Sequence, residues 1–213
     1  MDINRLAQLA AEALTLPIGC GDPYFGSLQD QECWAPYLRF MYLCVKEYSP
    51  AAVVELGVYA GTCTGHMALA NPKIPIIGVD REFKPEAYEM RKRFPNIHLI
   101  EGDTVESMPI VKWFLESISI GMIFLDSTHD GITARNELEA YKPLFADECI
   151  VAVDDLLGPR HLMEKMQEFW ATLPDEKMEI NFLHPIPDDR IHLIDQPGFG
   201  VAIIRKVEDK CLE

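Results

Sequence analysis

The chain has 213 residues, and its 34 aspartates and glutamates outnumber its 19 lysines and arginines. This length predicts one domain with a proper core, and the acidic charge argues against nucleic acid or an anionic membrane as a partner. The six cysteines are scattered without a C-x-x-C pair, which argues against disulfides or structural zinc and favours a reducing, cytoplasmic compartment. The N-terminus shows no basic region followed by a long apolar run, so neither export nor a membrane span is expected.

The first 50 residues predict two helices joined by a loop. Apolar residues at helical spacing predict an amphipathic helix over residues 3–14, and residues 34–48 predict a second helix packed on the domain that follows. The glycine-rich segment between them is typical of a loop, and such loops can close over ligands. Trp34 and Tyr37 fit core packing better than contact with a substrate, which is the alternative. We therefore expect an N-terminal helical appendage, residues 1–50, that forms a lid or a homodimer contact.

From residue 51 onward, apolar runs alternate with helical stretches. Strands are predicted at residues 52–57, 75–80, 97–101, 121–126, 149–154, 178–184 and 199–205. Helices are predicted at residues 62–70, 84–93, 104–116, 131–143 and 159–172. Continuous apolar strands predict a mainly parallel sheet covered on both faces, and the missing helix before the last strand predicts an antiparallel end. The sequence thus predicts an α/β, Rossmann-like, doubly wound sheet of seven strands in a domain over residues 51–213.

The stretch from Val53 to Gly65 predicts a strand, a glycine turn and the start of a helix. Gly57 and Gly61 give the spacing G-x-x-x-G after Glu55, whereas a dinucleotide-binding turn requires G-x-G-x-x-G. Such a turn lets a ligand approach bare backbone and the first free N–H groups of the helix. The turn resembles the first motif of the class I S-adenosylmethionine-dependent methyltransferases, which implies that it wraps the amino-acid part of the cofactor. An ordinary α/β turn with two glycines is the alternative.

Acidic residues follow the strand ends, beyond which ligands bind in an open α/β sheet. Asp80 ends the second strand, and the resemblance assigns its carboxylate to the ribose hydroxyls. The resemblance implies that Asp103 lies near the adenine amino group. The alternative is that Asp103, or else Thr104, is a helix N-cap, and an N-cap is compatible with the adenine contact. The cofactor contacts that the resemblance implies are Glu55, Gly57, Tyr59, Gly61, Thr62, Asp80, Arg81, Asp103, Thr104 and Asp126.

Two further acidic motifs follow the fourth and fifth predicted strands, Asp126-Ser-Thr-His129 and Asp154-Asp155. Neighbouring strand ends would bring these carboxylates into one small site, where they repel each other unless a cation joins them. A set of carboxylate oxygens suits Mg²⁺, with Mn²⁺ or Ca²⁺ as alternatives and Zn²⁺ poorly suited. The alternative is that Asp154 and Asp155 are ordinary turn and helix-start residues.

The pattern of Asp126, His129, Asp154 and Asp155 resembles the metal-dependent O-methyltransferases of sugar hydroxyls in natural products and the cephalosporin-hydroxylase-like group. The catechol O-methyltransferases are similar more loosely, because they lack the histidine. The resemblance covers about residues 50–206 and implies that the three aspartates bind the metal. It also implies that His129 is the catalytic base, with a cap or a supporting contact as the alternative.

The sequence therefore predicts methyl transfer from S-adenosylmethionine to a hydroxyl of a small molecule, such as a vicinal diol, a sugar or a catechol. Two neighbouring oxygens of such an acceptor could chelate the cation. A non-catalytic cofactor-binding protein and a nicotinamide-dependent oxidoreductase are the alternatives from other classes.

Overall fold

The structure is a computed structural model, and it describes residues 1–16, 28–128, 130–154, 156, 160–174, 176–180, 182 and 198–206. The helices are α1 (Ile3–Ala13), α2 (Leu28–Tyr48), α3 (Thr62–Ala70), α4 (Pro85–Arg93), α5 (Met108–Leu115), α6 (Gly131–Tyr141) and α7 (Arg160–Ala171). The strands are β1 (Val53–Leu56), β2 (Ile76–Asp80), β3 (Ile97–Glu101), β4 (Ile120–Leu125), β5 (Phe145–Val153), β6 (Lys177–Ile180) and β7 (Phe199–Arg205). A short 3-10 helix, Lys142–Leu144, joins α6 to β5.

Within the described residues, seven strands form one sheet in the order β3-β2-β1-β4-β5-β7-β6. The pairs from β3 to β5 are parallel, whereas β7 is antiparallel to both β5 and β6. The strand order reverses between β1 and β4, which opens a crevice beyond the carboxyl ends of these strands. The predicted fold class, a Rossmann-like sheet with an antiparallel end, is confirmed.

Helices cover the sheet on both faces. Successive side chains of a strand point to opposite faces, so each buried strand contributes to two separate cores. In β1, Val53 packs with residues of α1, α2 and α3, whereas Val54 and Leu56 pack with residues of α5, α6 and α7. This burial on both faces explains why the central strands are continuous apolar runs in the sequence.

The two N-terminal helices share a core with the sheet. Leu6 and Leu9 of α1 are fully buried, and Phe40 and Met41 of α2 are buried in the same cluster as residues of β1, β4 and β7. In the described part of residues 1–50, both helices therefore cover one face of the sheet. α2 has 21 residues, but neither it nor any other described helix is apolar enough to cross a membrane.

Two helices begin several residues away from their predicted starts. α2 already begins at Leu28, ahead of the predicted start at residue 34. The prediction missed these first turns because they are polar and show no apolar period in the sequence. α5 begins only at Met108, whereas the prediction began at residue 104. Asp103 accepts hydrogen bonds from two backbone N–H groups of the intervening turn, which it holds outside the helix.

The boundaries of β5 and β6 also differ from the predicted ones, whereas β7 has the predicted bounds, residues 199–205. β5 begins at Phe145, ahead of the predicted residue 149; Phe145 pairs with Ile120 of β4, and Glu148 pairs with Arg205 of β7. Glu148 Oε1 accepts a hydrogen bond from Arg205 Nε at 2.7 Å, so a charged pair extends the strand where apolar periodicity is absent. β6 ends at Ile180, and most of the remaining predicted strand lies outside the described residues.

Candidate functional site

The carboxyl ends of the parallel strands lie at one edge of the sheet. Leu56 pairs with Val79 on one side and with Leu125 on the other, and Leu125 pairs with Val153. Parallel register therefore brings the next residue of each strand to the same edge. These next residues are Gly57, Asp80, Asp126 and Asp154.

A cavity of about 400 Å³ opens at this edge. It is lined by Gly57, Tyr59, Asp80, Arg81, Thr104, Asp126, Ser127 and Thr128. Six of these eight residues are predicted cofactor contacts, and the volume lies within the range of about 300–1,000 Å³ that is usual for small-molecule sites. The sequence thus identified most of the cavity wall, while the contacts themselves stay predictions.

The glycine turn is packed tightly against the end of β4. Gly57 has a φ of +89°, and a Cβ built on it would lie 2.0 Å from the carbonyl oxygen of Asp126 and 2.7 Å from Cα of Ser127. Gly61, which precedes the first residue of α3, has a φ of +79°. Glycine at position 57 is therefore required by the approach of two strand ends as well as by the left-handed backbone.

Asp80 holds the glycine turn in place. Its Oδ2 accepts hydrogen bonds from the backbone N–H groups of Val58 and Tyr59, at 2.7 and 2.8 Å. Its Oδ1 accepts a hydrogen bond from the N–H of Glu82 at 3.2 Å. A carboxylate offers about four acceptor positions, so Asp80 keeps capacity for ligand hydroxyls while it fixes the turn.

Arg81, which lines the cavity, is paired with Asp103. Arg81 Nη2 donates a hydrogen bond to Asp103 Oδ2 at 2.8 Å, and this contact holds the pKa of Asp103 below its usual value. Asp103 Oδ1 accepts from the backbone N–H groups of Val105 and Glu106 at 3.0 and 3.2 Å. Asp103 thus caps the turn that follows β3, and its contact with adenine stays a prediction.

Glu55 joins β1 to α3 and is not among the described residues that line the cavity. It is 1% exposed, and its Oε2 accepts a hydrogen bond from Thr64 Oγ1. Burial raises the pKa of Glu55 to about 8, although hydrogen bonds from Thr64 and Cys63 act in the opposite direction. The carboxyl group is therefore mostly neutral at pH 7, and cofactor contact by Glu55 stays a prediction.

Glu55→Gln is expected to make the stability of the chain less dependent on pH. Between about pH 4.5 and 8 the folded state holds a proton on Glu55 that the unfolded state loses, so the free energy of unfolding falls as pH rises. Glutamine does not titrate, so the variant lacks this fall in the free energy of unfolding. Thermal unfolding of the ligand-free proteins should show that the Tm of the variant minus the Tm of the wild type increases by about 5 °C or more as the pH rises across this range. Parallel curves for the two proteins would contradict the expectation.

Asp126 and Asp154 lie at the ends of adjacent strands and line one small void together with Ser127 and Glu137. No group of three histidine, cysteine, aspartate or glutamate side chains suited to a metal occurs in the part of the chain that the structure describes. The third predicted ligand, Asp155, lies outside the described residues. The geometry therefore brings two predicted ligands to one edge, and the metal site stays a prediction.

The predicted base, His129, also lies outside the described residues. Two described neighbours of His129 in the sequence are Thr128 and Asp130. Thr128 lines the cavity, and Asp130 caps α6 by accepting a hydrogen bond from the N–H of Thr133 at 3.3 Å. The function of His129 stays a prediction that rests on its sequence position.

Tyr37 connects α2 to the acidic edge. Its ring centroid lies 6.1 Å from that of Phe199, the first residue of β7, which pairs with β5 next to Asp154. Burial raises the pKa of Tyr37, and the negative charges of Asp126 and Asp154 act in the same direction. Tyr37 is half-buried and packs against the core. The side chain of Trp34 lies outside the described part of the chain.

Sequence reasoning missed Glu137, which is 1% exposed on α6. Its Oε1 accepts hydrogen bonds from Thr104 Oγ1 at 2.5 Å and from Ser127 Oγ at 2.6 Å, and both donors line the cavity. The available signal was a charged residue at helical spacing from the buried Ala134 and Tyr141, because acidic residues are almost never fully buried without partners.

Residues 54–156 match the family model described as a methyltransferase domain. The match includes β1 to β5, the glycine turn and the predicted ligands Asp126, Asp154 and Asp155. No curated protein sequence is significantly similar to the chain.

Solved structures share the fold at low sequence identity. The O-methyltransferase TomG from Streptomyces achromogenes, involved in tomaymycin synthesis and solved in complex with SAM, is 15% identical; the alignment covers 96% of this chain and 89% of that chain, with a TM-score of 0.64. CalS11, a TDP-rhamnose 3'-O-methyltransferase of calicheamicin biosynthesis, is 21% identical, with coverages of 92% and 91% and a TM-score of 0.57. An O-methyltransferase from Bacillus cereus in complex with SAH is 14% identical, with coverages of 95% and 90% and a TM-score of 0.60. At these identities the likeness shows the fold alone.

Proposed function

We propose that this chain is an S-adenosylmethionine-dependent methyltransferase and that it transfers a methyl group to a hydroxyl oxygen of a small molecule with the help of a divalent cation. The methyltransferase domain matched at residues 54–156, together with the fold, supports this class. One observation supports the oxygen acceptor and the cation, namely the pair Asp126 and Asp154 beside the cavity at the glycine turn. A nicotinamide-dependent oxidoreductase accounts for neither the family match nor this pair.

The cofactor would bind in the cavity at the ends of β1, β2 and β3. The turn from Gly57 to Gly61 exposes backbone to its amino-acid part, and Asp80 has acceptor capacity left for the ribose hydroxyls. Thr104 lines the cavity wall after β3, next to Asp103, where the adenine ring is proposed to lie. The solved complexes of TomG with SAM and of the Bacillus cereus enzyme with SAH show that this fold accepts such a cofactor in other proteins.

The donor set fits a hard divalent cation. Asp126 and Asp154 offer carboxylate oxygens from adjacent strand ends. In the sequence, Asp155 directly follows Asp154 and adds a third carboxylate. Mg²⁺ prefers such oxygens, and Mn²⁺ or Ca²⁺ are the proposed alternatives. When bound, the cation supplies positive charge that makes an acceptor hydroxyl more acidic.

His129 is proposed to take the proton from the acceptor hydroxyl, since an imidazole of ordinary pKa can accept a proton near neutral pH. Gly57 and Asp80 in the cavity wall would hold the cofactor, which would supply the methyl group. A small acceptor fits better than nucleic acid, because the chain carries a formal net charge of −15.

An assay of methyl transfer over a panel of catechols and sugars tests this proposal. We expect turnover with one class of acceptor in the presence of Mg²⁺, and binding of S-adenosylhomocysteine by calorimetry with or without the metal. Failure to bind S-adenosylhomocysteine would contradict the cofactor assignment. Binding without turnover of any acceptor would instead favour a non-catalytic binding protein.

A further inference from the structure

Glu137 joins two parts of the cavity wall that the sheet keeps apart. Thr104 follows β3 and Ser127 follows β4, and the strands β2 and β1 lie between β3 and β4. One oxygen of Glu137 accepts from the hydroxyl groups of both residues, at 2.5 and 2.6 Å. A single side chain of α6 therefore connects the two sides of the cavity and limits the distance between them.

α6 holds Thr104 a second time. The hydroxyl of Tyr141 donates a hydrogen bond to the backbone carbonyl of Thr104 at 2.8 Å, and Tyr141 is fully buried. Glu137 and Tyr141 are one turn apart on the same helix face. Thr104 is thus fixed at both its side chain and its backbone, which leaves little freedom to this part of the wall.

Burying a carboxyl group in a core position costs free energy, because the group loses its hydration. Glu137 is 1% exposed, its Oε2 has no hydrogen-bond partner among the described residues, and burial raises its pKa. An apolar residue of similar size would fill the same space at lower cost. The retained hydrogen bonds go to two cavity residues, which points to a function at the cavity.

We propose that Glu137 is a positioning residue that holds Thr104 and Ser127 in the geometry required for binding the adenosine part of S-adenosylmethionine. The inference rests on the proposed binding of this cofactor in the cavity. Glu137 acts through the two hydroxyl groups and does not touch the cofactor, so it affects cofactor binding more than the chemical step.

Glu137→Leu is the informative variant, because leucine fills the space but accepts no hydrogen bond. Its KM for S-adenosylmethionine and its Kd for S-adenosylhomocysteine should rise roughly tenfold, while kcat stays within about threefold of the wild type. Glu137→Gln should keep affinity within about threefold, since its amide oxygen accepts both hydrogen bonds. Glu139→Leu is the matched control, because Glu139 is an exposed acidic residue of the same helix, paired only with Lys142 at 3.7 Å among the described residues.

A double-mutant cycle separates positioning from packing. In a Ser127→Ala background the loss of affinity caused by Glu137→Leu should shrink, because one of its two partners is already absent. Should Glu137→Leu fail to fold, Glu137→Asp, which is too short to reach both hydroxyl groups, takes its place with the same expectations. Wild-type affinity in the folded Leu or Asp variant would overturn the inference. A wild-type protein that does not bind S-adenosylhomocysteine would instead overturn the proposed function.

Discussion

Gly57→Ala is expected to remove most of the affinity for S-adenosylhomocysteine and to lower the thermal stability of the chain. The added Cβ would lie 2.0 Å from the carbonyl oxygen of Asp126, and the φ of +89° strains any residue with a side chain. Strain and overpacking each cost about 1–3 kcal/mol, which corresponds to a fall in Tm of roughly 5–15 °C. Gly57 and Asp126 both line the cavity, so we expect Kd to rise about a hundredfold when the end of β4 moves.

Gly121→Ala provides the matched control for Gly57→Ala. Gly121 lies near the opposite end of β4, where an added Cβ would come within 2.7 Å of Cβ of Pro50. This variant should also lose stability, but its affinity for S-adenosylhomocysteine should stay within about threefold of the wild type. Calorimetry at a temperature well below the Tm of both variants measures these two affinities. Equal affinities in Gly57→Ala and the wild type would show that the cofactor binds elsewhere.

Removal of divalent cations by EDTA is expected to abolish methyl transfer, and added Mg²⁺ should restore it. Asp154→Asn should raise the Mg²⁺ concentration needed for half-maximal activity by about tenfold or more, because it replaces an anionic oxygen donor by a neutral amide. Affinity for S-adenosylhomocysteine should change little, since Asp154 is not among the described residues that line the large cavity. Full activity in EDTA would show that these carboxylates only form turns.

His129→Ala is expected to behave differently from Asp154→Asn. It should lower kcat by about a hundredfold, the usual scale for the loss of one general base, and leave the Mg²⁺ dependence nearly unchanged. Wild-type activity should fall at acidic pH as His129 becomes protonated, and the variant should lack this fall. A catechol should depend on His129 less than a sugar alcohol does, because its hydroxyl group is more acidic. A parallel loss of kcat and of Mg²⁺ affinity would instead make His129 a contributor to the metal site.

The edge of the sheet at which the cavity opens could be predicted from residues that end a strand or directly follow one. Asp80, Asp126 and Asp154 each end an apolar run, and in a parallel sheet all such ends meet at one edge. Strand ends are marked locally, by the change from apolar to acidic residues. The length of α2 and the polar start of β5 were predicted less well, since both depend on contacts that leave no apolar period in the sequence.

The sequence by itself determined the order of the helices and strands, the parallel sheet with its antiparallel end, and the acidic edge, because all of these follow from local periodicity and from the residues that interrupt it. Only the tertiary structure decided which groups meet across the chain. It packs Gly57 against the backbone of Asp126, and it joins Glu137 to Thr104, 33 residues away in sequence. Such contacts depend on the order in which strands pair and on the helix face that packs against them, and neither is specified by the spacing of residues along one element.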